Sequence, residues 1–186
     1  LDGTKDFIMG GDGFSVMIGL LVDKRPVLGV VYAPLQETFF FAESGAGAFM
    51  ERKGLVTPLR VSESDNLSTF RLIVSKHHFE KIDAAFAEFL ACKDFVQRGS
   101  IGVKFAEIAH DGADLYFNFD GLNIWDVCAP QAILEAAGGQ VFDISGEKLV
   151  YGPQRFTKGI IALNASNKEP VLEKIRSFQK SFKNES

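Results

Sequence analysis

The sequence predicts a layered α/β fold of the α+β kind, in which an antiparallel meander comes first and strands alternate with helices afterwards. Three observations predict this order. Short turn-like segments separate the apolar runs of the first third, apolar residues recur at helical spacing after residue 70, and paired glycines end one apolar helix. Short connections favour antiparallel pairing, whereas strands that alternate with helices are typical of a sheet covered by helices. We therefore divide the chain into an antiparallel-sheet half, 1–69, and an α/β half, 70–186.

Three apolar runs predict the first strands. They cover residues 14–22, 27–33 and 37–42, and the turn-like segments "DKRP" and "PLQ" separate them. The glycine-rich stretch "SGAGAF", 44–49, predicts a turn that leads into a further short strand. The first half is therefore expected to form a meander in which neighbours in the sequence are neighbours in the sheet.

Beyond residue 70 the sequence alternates between the two kinds of element. The segments "RLIVS", "FVQR", "DLYFNF" and "GIIALN" predict strands because they are short and rich in apolar residues. Apolar residues at helical spacing predict helices near 79–90, 101–108 and 171–182. A further helix, "WDVCAPQAILEAAGG", is expected to end at Gly138 and Gly139, because glycine commonly terminates helices.

The composition excludes several classes of protein. The chain has 186 residues, and its 20 basic and 24 acidic side chains are scattered, which argues against a nucleic-acid polymer as the partner. No run of about 18 uncharged apolar residues is present, so we expect no membrane span. Cys92 and Cys128 lie in apolar segments, which favours a reduced, cytoplasmic compartment. The sequence lacks Gly-x-Ser-x-Gly and Cys-x-x-Cys, so nothing supports a serine, cysteine or structural-zinc mechanism.

One acidic residue stands near the start of the helix that ends in paired glycines. Proline is best tolerated in the first turn of a helix, so Pro130 predicts a helix start close to Asp126. A carboxylate there lies beside free backbone N–H groups at the positive end of the helix dipole. Asp126 is therefore either an N-cap, worth about 1 kcal/mol, or a metal ligand that faces a bound anion. Spacing alone favours the cap.

The first residues, "LDGT", allow a similar pair of interpretations. Asp-Gly is a common turn dipeptide, and by itself the stretch favours a turn. In a binding site, however, Gly3 would let the backbone approach a ligand closely, and Thr4 would bind a phosphate. Asp2 would then be placed to hold a divalent cation.

Taken together, the two stretches resemble the signatures of the inositol-monophosphatase-like family of metal-dependent phosphatases. Those signatures read D-P-(I/L)-D-G-T-x-x-F and W-D-x-x-(A/G)-x-x-x-x-x-x-x-(A/V)-G-G; the second is matched in full over 125–139, and the first from its third residue. The stretches "PVLGVVYAP", "GAGAF", "GSIGVKF" and "GEKLVY" are also similar to family segments. The resemblance implies the family's αβαβα sandwich, truncated so that its N-terminal portion is lacking. That portion carries a Gly-Glu-Glu segment and the Asp-Pro of the first signature.

Within the family, the chain most resembles the 3'(2'),5'-bisphosphate nucleotidases of the CysQ type. "DGTKDF" resembles their D-G-T-K-(E/D)-F, "VSKHH" resembles V-S-R-S-H, and Lys104 stands where they carry lysine. A lysine ammonium suits a substrate with a second phosphate. Two departures leave the nucleotide open, because Asn118 replaces the arginine of Y-x-R-F and His77 replaces a serine. Asparagine cannot form a charge-assisted fork with phosphate.

The resemblance implies a Mg²⁺ site next to a phosphate site. Asp2 and Asp126 would be carboxylate ligands of Mg²⁺ and the Leu1 carbonyl a backbone ligand, while Gly3 and Thr4 would contact the phosphate. Thr4 would also orient the attacking water, so Asp2 and Thr4 are the expected catalytic residues. The residues expected to line the leaving-group side are His78, Ser100, Ile101, Lys104 and Asn118.

Two of these side chains also have simpler explanations. On spacing alone, Lys104 is equally well explained as a solvated residue in a first helical turn, and His78 as a surface residue before a helix. Cys128 is expected to be a small buried residue, because nothing near it in the sequence would activate a thiol.

The reaction implied for the intact protein is Mg²⁺-dependent removal of the 3'-phosphate from adenosine 3',5'-bisphosphate. Its partner would be this small phosphate ester, and a homodimer is possible. For the chain as given we expect little or no turnover, since two of the four carboxylates that gather the metals in the family, a glutamate of the Gly-Glu-Glu segment and the first aspartate of the first signature, are lacking. Three alternatives stay open: an inositol or other polyol monophosphatase, a histidinol phosphatase, and a non-catalytic fragment or degenerate paralogue.

Overall fold

The structure, a computed structural model, describes residues 1–92 and 94–184. Within those residues it consists of two five-stranded sheets, a two-stranded ribbon and five α-helices. The helices are α1 (Thr4–Ile8), α2 (Lys81–Phe89), α3 (Ile101–Ala109), α4 (Ile124–Ala136) and α5 (Lys168–Asn184). The strands are β1 (Val16–Val22), β2 (Arg25–Ala33), β3 (Thr38–Glu43), β4 (Gly47–Arg52), β5 (Leu55–Pro58), β6 (Arg71–Ser75), β7 (Asp94–Arg98), β8 (Leu115–Asn118), β9 (Leu122–Asn123), β10 (Gln140–Phe142), β11 (Arg155–Phe156) and β12 (Ile160–Leu163).

The first sheet is the predicted antiparallel meander, in the order β1-β2-β3-β4-β5. Asp23 and Lys24 close the β1–β2 turn with positive φ angles of 48° and 60°, and a 3₁₀ turn, Pro34–Gln36, separates β2 from β3. The sequence does not predict β5, because this strand has only four residues and is mostly exposed. A turn at Lys53 and Gly54, both with positive φ, leads into it.

The second sheet contains the strands predicted beyond residue 70 and adds β10, in the order β10-β12-β8-β6-β7. β6 pairs in parallel with β7 and β8, and the other pairs are antiparallel. Ile73 and Tyr116 belong to the core that faces the first sheet, whereas Leu72 and Leu115 belong to the core on the opposite side. Because both faces of β6 and β8 are buried, these two strands contain continuous apolar runs.

Helices α3 and α4 fill the space between the sheets, while α2 and α5 pack together on the outer face of the second sheet. The approach of α4 to the first sheet requires glycine, since a Cβ at Gly29 would lie 2.1 Å from the Ala129 carbonyl oxygen. The predicted α/β class is confirmed, with layers in the order sheet, helices, sheet, helices. The division at residue 69 stays an interpretation, because α4 of the second half packs on β1, β2 and β3 of the first.

The start of α4 differs in detail from the prediction. The helix begins at Ile124 with Asn123 as its N-cap, so Pro130 lies inside the helix and does not mark its first turn. The predicted start close to Asp126 is confirmed to within two residues, but the reason given for it, a first-turn Pro130, is wrong. The interpretation of Asp126 as the N-cap is also wrong. Asp126 nevertheless lies in the first turn of α4. The carbonyl oxygen of Asp126 receives no helical hydrogen bond from residue 130, because proline has no N–H.

Apolar surface remains on the outer side of the first sheet. Ile18 is 66% exposed, and the neighbouring residues of the same face of β1, Val16, Leu20 and Val22, are exposed as well. The helices are a separate matter: in the described part of the chain, none of them is both long enough and apolar enough to cross a membrane.

Candidate active site

A cavity of about 430 Å³ lies where the first residues of the chain meet the second sheet. Its wall comes from the turn at 2–5, the loop after β6, the start of α3, the end of β8, and the β9–β11 ribbon with the start of α4. Segments that are far apart in the sequence therefore converge on it. The residues of the predicted site that line this cavity are Asp2, Gly3, Thr4, His78, Ile101, Lys104, Asn118 and Asp126.

Asp2 and Asp126 both face this cavity. Burial, followed by the negative charge of Asp2, raises the pKa of Asp126 above its ordinary value. Asn123 acts in the opposite direction, since its Nδ2 donates a hydrogen bond of 3.1 Å to Asp126 Oδ2. Two carboxylates that repel each other in a cavity create a position where a cation would be stabilised.

Asp2 is fixed by its contacts with the start of α3. Its Oδ2 accepts hydrogen bonds from Ser100 Oγ at 2.7 Å and from the Ile101 N–H at 2.6 Å. On the other side, backbone hydrogen bonds of 2.8 and 2.9 Å pair Asp2 with Ser15. These contacts set the direction in which the carboxylate points.

Ser100 lies differently from the prediction that places it on the leaving-group side. Its side chain is fully buried, and its hydroxyl lies between Asp2 and Ser15, whose Oγ is 2.6 Å away. The same oxygen accepts a long hydrogen bond, 3.4 Å, from the Val103 N–H and so caps α3. Ser100 therefore orients a carboxylate and does not line the cavity. The signal for this role was its position one residue before a helical pattern.

The turn at Gly3 brings Thr4 to the cavity. Gly3 has a φ of 82°, and a Cβ there would lie 2.4 Å from the Gly13 carbonyl oxygen, so the turn requires glycine. Helix α1 starts directly after it, and Thr4 lines the cavity as its first residue. Leu1 precedes Asp2 with an exposed side chain, and the role expected for its carbonyl stays a prediction.

Lys104 is a buried cation in the cavity wall. It is 1% exposed, its Nζ donates a hydrogen bond of 2.8 Å to the Gly99 carbonyl, and it lies 5.5 Å from the centre of the Tyr116 ring. Burial lowers the pKa of Lys104 to about 8, although the charges of Asp2 and Asp6 oppose that shift. The alternative that Lys104 is a solvated surface residue is therefore wrong.

His78 and Asn118 complete the predicted part of the wall. His78 has an exposed side but lines the cavity, and partial burial, then the positive charges of Lys5 and Lys104, lower its pKa. Asn118 lies at the end of β8, and its Oδ1 is buried without a hydrogen-bond partner among the described residues. Asn118 carries no charge, and the lowered pKa of His78 favours its neutral form. Lys104 is therefore a stronger candidate than either of them for contact with an anion.

A model of the inositol monophosphatase family matches residues 1–180 of this chain. The chain belongs to the inositol monophosphatase family. The match confirms the family that the two sequence signatures predict. The matched residues include both sheets and all the residues that line the cavity.

Named members of the family show which branches are similar. The 3'(2'),5'-bisphosphate nucleotidase CysQ of Escherichia coli K12 is 36% identical over 156 residues, which cover 83% of this chain and 61% of that protein. Among solved structures, the IMPase of Thermotoga maritima has a TM-score of 0.82 at 26% identity, covering 97% of this chain and 67% of that one. CysQ from Bacteroides thetaiotaomicron has a TM-score of 0.78 at 26% identity, covering 90% and 68%. The chain thus spans 61% of the length of its Escherichia coli relative.

Members of the inositol monophosphatase family are metal-dependent phosphatases, and the residues present fit part of a Mg²⁺ site. Within residues 1–92 and 94–184, no group of three or more His, Cys, Asp or Glu side chains is arranged to hold a metal ion. Mg²⁺, however, is commonly bound through one or two carboxylates, with waters and substrate phosphates completing its shell. The pair Asp2 and Asp126 suits that mode, since a cation near both would relieve the repulsion that helps to raise the pKa of Asp126.

Several cavity residues have no role assigned by the sequence. Arg155 reaches the wall from β11, and its Nη2 donates hydrogen bonds of 3.1 Å to the carbonyls of Asp120 and Gly121. The β9–β11 ribbon has two residues per strand, which is too short to leave a pattern in the sequence. Lys5 and His77, by contrast, lie inside the quoted motifs and are identifiable from them.

Proposed function

We propose that the whole protein hydrolyses phosphomonoesters with Mg²⁺, and that its substrate is adenosine 3',5'-bisphosphate, from which it removes the 3'-phosphate. The observation that supports this most is the convergence of Asp2, Thr4, Lys104 and Asp126 on one cavity. The similarity to bisphosphate nucleotidases named CysQ supports the nucleotide over other phosphate esters.

In this proposal Asp2, Asp126 and the Leu1 carbonyl hold Mg²⁺. When bound, Mg²⁺ neutralises charge on the phosphate and on the leaving oxygen and makes water a better nucleophile. The chain contributes by keeping the two carboxylates in place. Ser100 and the Ile101 N–H fix Asp2, and Asn123 fixes Asp126.

The remaining residues bind and orient the substrate. Gly3 and Thr4 contact the phosphate that is removed, because the glycine turn leaves the backbone N–H groups accessible to an anion. The Thr4 hydroxyl orients the attacking water. Lys104 carries a proton at neutral pH, since its pKa of about 8 lies above 7, and so attracts the second phosphate. His78, Ile101 and Asn118 form the wall around the rest of the nucleotide.

A polyol or inositol monophosphatase is the second candidate, and Asn118 is the observation that favours it. An amide at this position offers hydrogen bonds to hydroxyl groups but no charge for a second phosphate. The Oδ1 of Asn118 is buried without a hydrogen-bond partner in the described part of the chain, and as an acceptor it suits a hydroxyl donor better than a phosphate oxygen. Lys104 and Arg155 in the same cavity argue for the bisphosphate.

Phosphate release by the full-length gene product tests the proposal. The substrates are adenosine 3',5'-bisphosphate, inositol 1-phosphate and histidinol phosphate, each with Mg²⁺ and with EDTA. We expect Mg²⁺-dependent release that is fastest from the bisphosphate. Faster release from inositol 1-phosphate would contradict the substrate, and rates equal to those of an Asp126→Asn variant on every substrate would contradict catalysis.

A further inference from the structure

Asp6 is a buried carboxylate that lies one helical turn after Asp2 and outside the cavity wall. The residue is 1% exposed. Its Oδ1 lies 3.0 Å from Lys76 Nζ and 3.1 Å from His77 Nε2, both of which come from the loop after β6. Its Oδ2 is buried and has no hydrogen-bond partner among the described residues. A buried charge is costly unless it is paired, so the Lys76 ammonium beside Oδ1 compensates the charge of this carboxylate.

Three glycines form the niche that holds the Asp6 carboxylate. A Cβ at Gly99 would lie 2.0 Å from Asp6 Oδ2, one at Gly13 2.3 Å from the same atom, and one at Gly11 2.6 Å from Oδ1. Any larger residue at these positions would displace the carboxylate. One side chain of α1 is therefore close to three separate segments: the loop before β1 and the loop before α3 through their glycines, and the loop after β6 through two side chains.

These three segments also form or support the cavity. His77 and His78 line it directly, and the backbone N–H of His78 is tied to Ser75 Oγ at 3.2 Å. Gly99 lines it and precedes Ser100, which donates to Asp2. The helix that carries Asp6 starts at Thr4.

We propose that Asp6 is a positioning residue that holds the loop of His77 and His78 against the turn of Asp2 and Thr4, and so fixes the relative placement of the two sides of the cavity. That this placement serves phosphate-ester binding rests on the proposed function. Burial opposes ionisation of Asp6, but its contacts with His77 and Lys76 outweigh burial and lower its pKa, so the carboxylate is charged at neutral pH.

The variant Asp6→Asn in the full-length protein tests the proposal, because it preserves the volume of the side chain and removes its charge. Asp12→Asn is the matched control, since Asp12 is exposed in the same loop region and its replacement changes the net charge equally. The 186-residue chain has three histidines, and NMR follows the ring signal of each one once it is assigned. We expect the signals of His77 and His78 to shift in Asp6→Asn and to stay unchanged in Asp12→Asn. His110, which is paired with Glu107 elsewhere in the molecule, should stay unchanged in both.

His78 is the informative signal. Asp6 contacts His77 directly, so a shift of His77 alone would reflect the lost charge and would overturn a positioning role. The charge of His77 also acts on His78, so the comparison is repeated with His77→Gln in every variant. A His78 shift that persists there reports that the loop has moved, because Asp6 is not among the groups whose charges act on His78, and a shift that disappears overturns the proposal. If Asp6→Asn unfolds, as a changed His110 signal would show, Lys76→Met replaces it. Lys76 is 43% exposed and its loss should shift His78 in the same direction by a smaller amount, whereas an unchanged His78 in this variant would also overturn the proposal.

The KM for adenosine 3',5'-bisphosphate in Mg²⁺-dependent phosphate release gives the functional consequence. We expect the KM of Asp6→Asn to be about tenfold higher than that of the Asp12→Asn control. If neither the wild type nor the control releases phosphate from the bisphosphate, the proposed function fails, and the histidine signals still decide the role of Asp6. If both variants have the same KM, Asp6 does not position the site.

Discussion

Ser100 donates a hydrogen bond of 2.7 Å to Asp2 Oδ2 and thereby joins the first turn of the chain to the N-terminus of α3. Asp2 lies near the start of the chain, whereas Ser100 directly precedes α3, the helix that packs between the two sheets. The orientation of the Asp2 carboxylate therefore depends on this buried hydroxyl together with the Ile101 N–H.

Replacement of Ser100 by alanine tests that dependence. The change removes the hydroxyl that donates to Asp2 and that pairs with the Ser15 hydroxyl. Because both partners are left with an unmade hydrogen bond, we expect a loss of about 1–3 kcal/mol in the free energy of unfolding. Phosphate release by the full-length protein should fall about tenfold or more, because the carboxylate is no longer oriented. Urea unfolding and the release assay measure the two effects. Ser68→Ala, at an exposed serine, is the control and should change neither.

Asp126→Asn should reduce Mg²⁺-dependent phosphate release by roughly 100-fold, because a neutral amide is a poorer Mg²⁺ ligand than a carboxylate. Removing one of two repelling charges should at the same time leave the fold equally stable or more stable. The release assay and thermal unfolding check the two directions. Glu173→Gln, on the exposed face of α5, removes the same charge and should preserve activity. A full loss of activity in both variants would argue against a role for Asp126 as ligand.

The 186-residue chain alone is predicted to bind Mg²⁺ weakly and to turn over little substrate. Among the described residues, Asp2 and Asp126 are the carboxylates of the predicted metal site, and no larger group is arranged to hold a metal. Calorimetry with Mg²⁺ alone should show binding that is far weaker than in the presence of adenosine 3',5'-bisphosphate, whose phosphates complete the shell. Tight binding of Mg²⁺ without the nucleotide would contradict this prediction.

The sequence predicts the sheets well because their physical origin is local. In β6 and β12 both faces are buried, which requires a run of apolar residues whatever the neighbouring strand is. The short "DKRP" segment likewise forces antiparallel pairing of β1 and β2. By contrast, β9 and β11 are held by pairing with each other across more than 30 residues, and their few residues carry no periodic signal.

The candidate site is predictable in part. Asp2, Gly3 and Asp126 are predicted through the resemblance of their two stretches to the family signatures, because local spacing alone favours a turn and an N-cap. The burial of Ser100 and Lys104 depends on what packs above α3, which no pattern within that helix reveals. Pro130 gives a wrong local signal, because α4 contains this proline in its interior although the local preference of proline is for the first turn.

Because Lys104 loses its buried charge as the pH rises, the free energy of unfolding should increase with pH. Its pKa falls from 10.5 to about 8 on folding, so between these values the unfolded chain binds more protons and stability increases with pH. Below pH 8 the buried charge opposes folding. Lys104→Met should therefore stabilise the protein at pH 7 by about 2–3 kcal/mol and by much less at pH 10.

Urea unfolding of wild type and Lys104→Met at both pH values measures this difference. Lys81→Met, at an exposed lysine, controls for the loss of a cation and should be neutral at each pH. The stabilised variant should also bind adenosine 3',5'-bisphosphate more weakly, because the cation in the cavity is lost. A destabilised Lys104→Met at pH 7 would show that the ammonium is compensated better than its burial indicates.

Asp114 joins the linker between the two sheets to the second sheet. It is 1% exposed and accepts hydrogen bonds from the Arg71 N–H, at 2.8 Å, from the Arg71 guanidinium, at 2.9 Å, and from Ser62. Burial opposes its charge, but Arg71 and Ser62 outweigh burial and lower the pKa of Asp114 below 3.8. Its contribution to stability is therefore present above pH 3.8 and is lost as the pH falls through the lowered value.

Asp114→Asn should lower the free energy of unfolding at pH 7 by about 3 kcal/mol, because it leaves the Arg71 guanidinium without its buried partner. Asp111 is the matched control: it accepts a 2.6 Å hydrogen bond from the same guanidinium but is 58% exposed. Asp111→Asn should cost less than about 1 kcal/mol, since solvent screens this pair. Denaturant unfolding of the two variants decides the matter, and equal losses would show that Arg71 is held by its exposed partner as strongly as by its buried one.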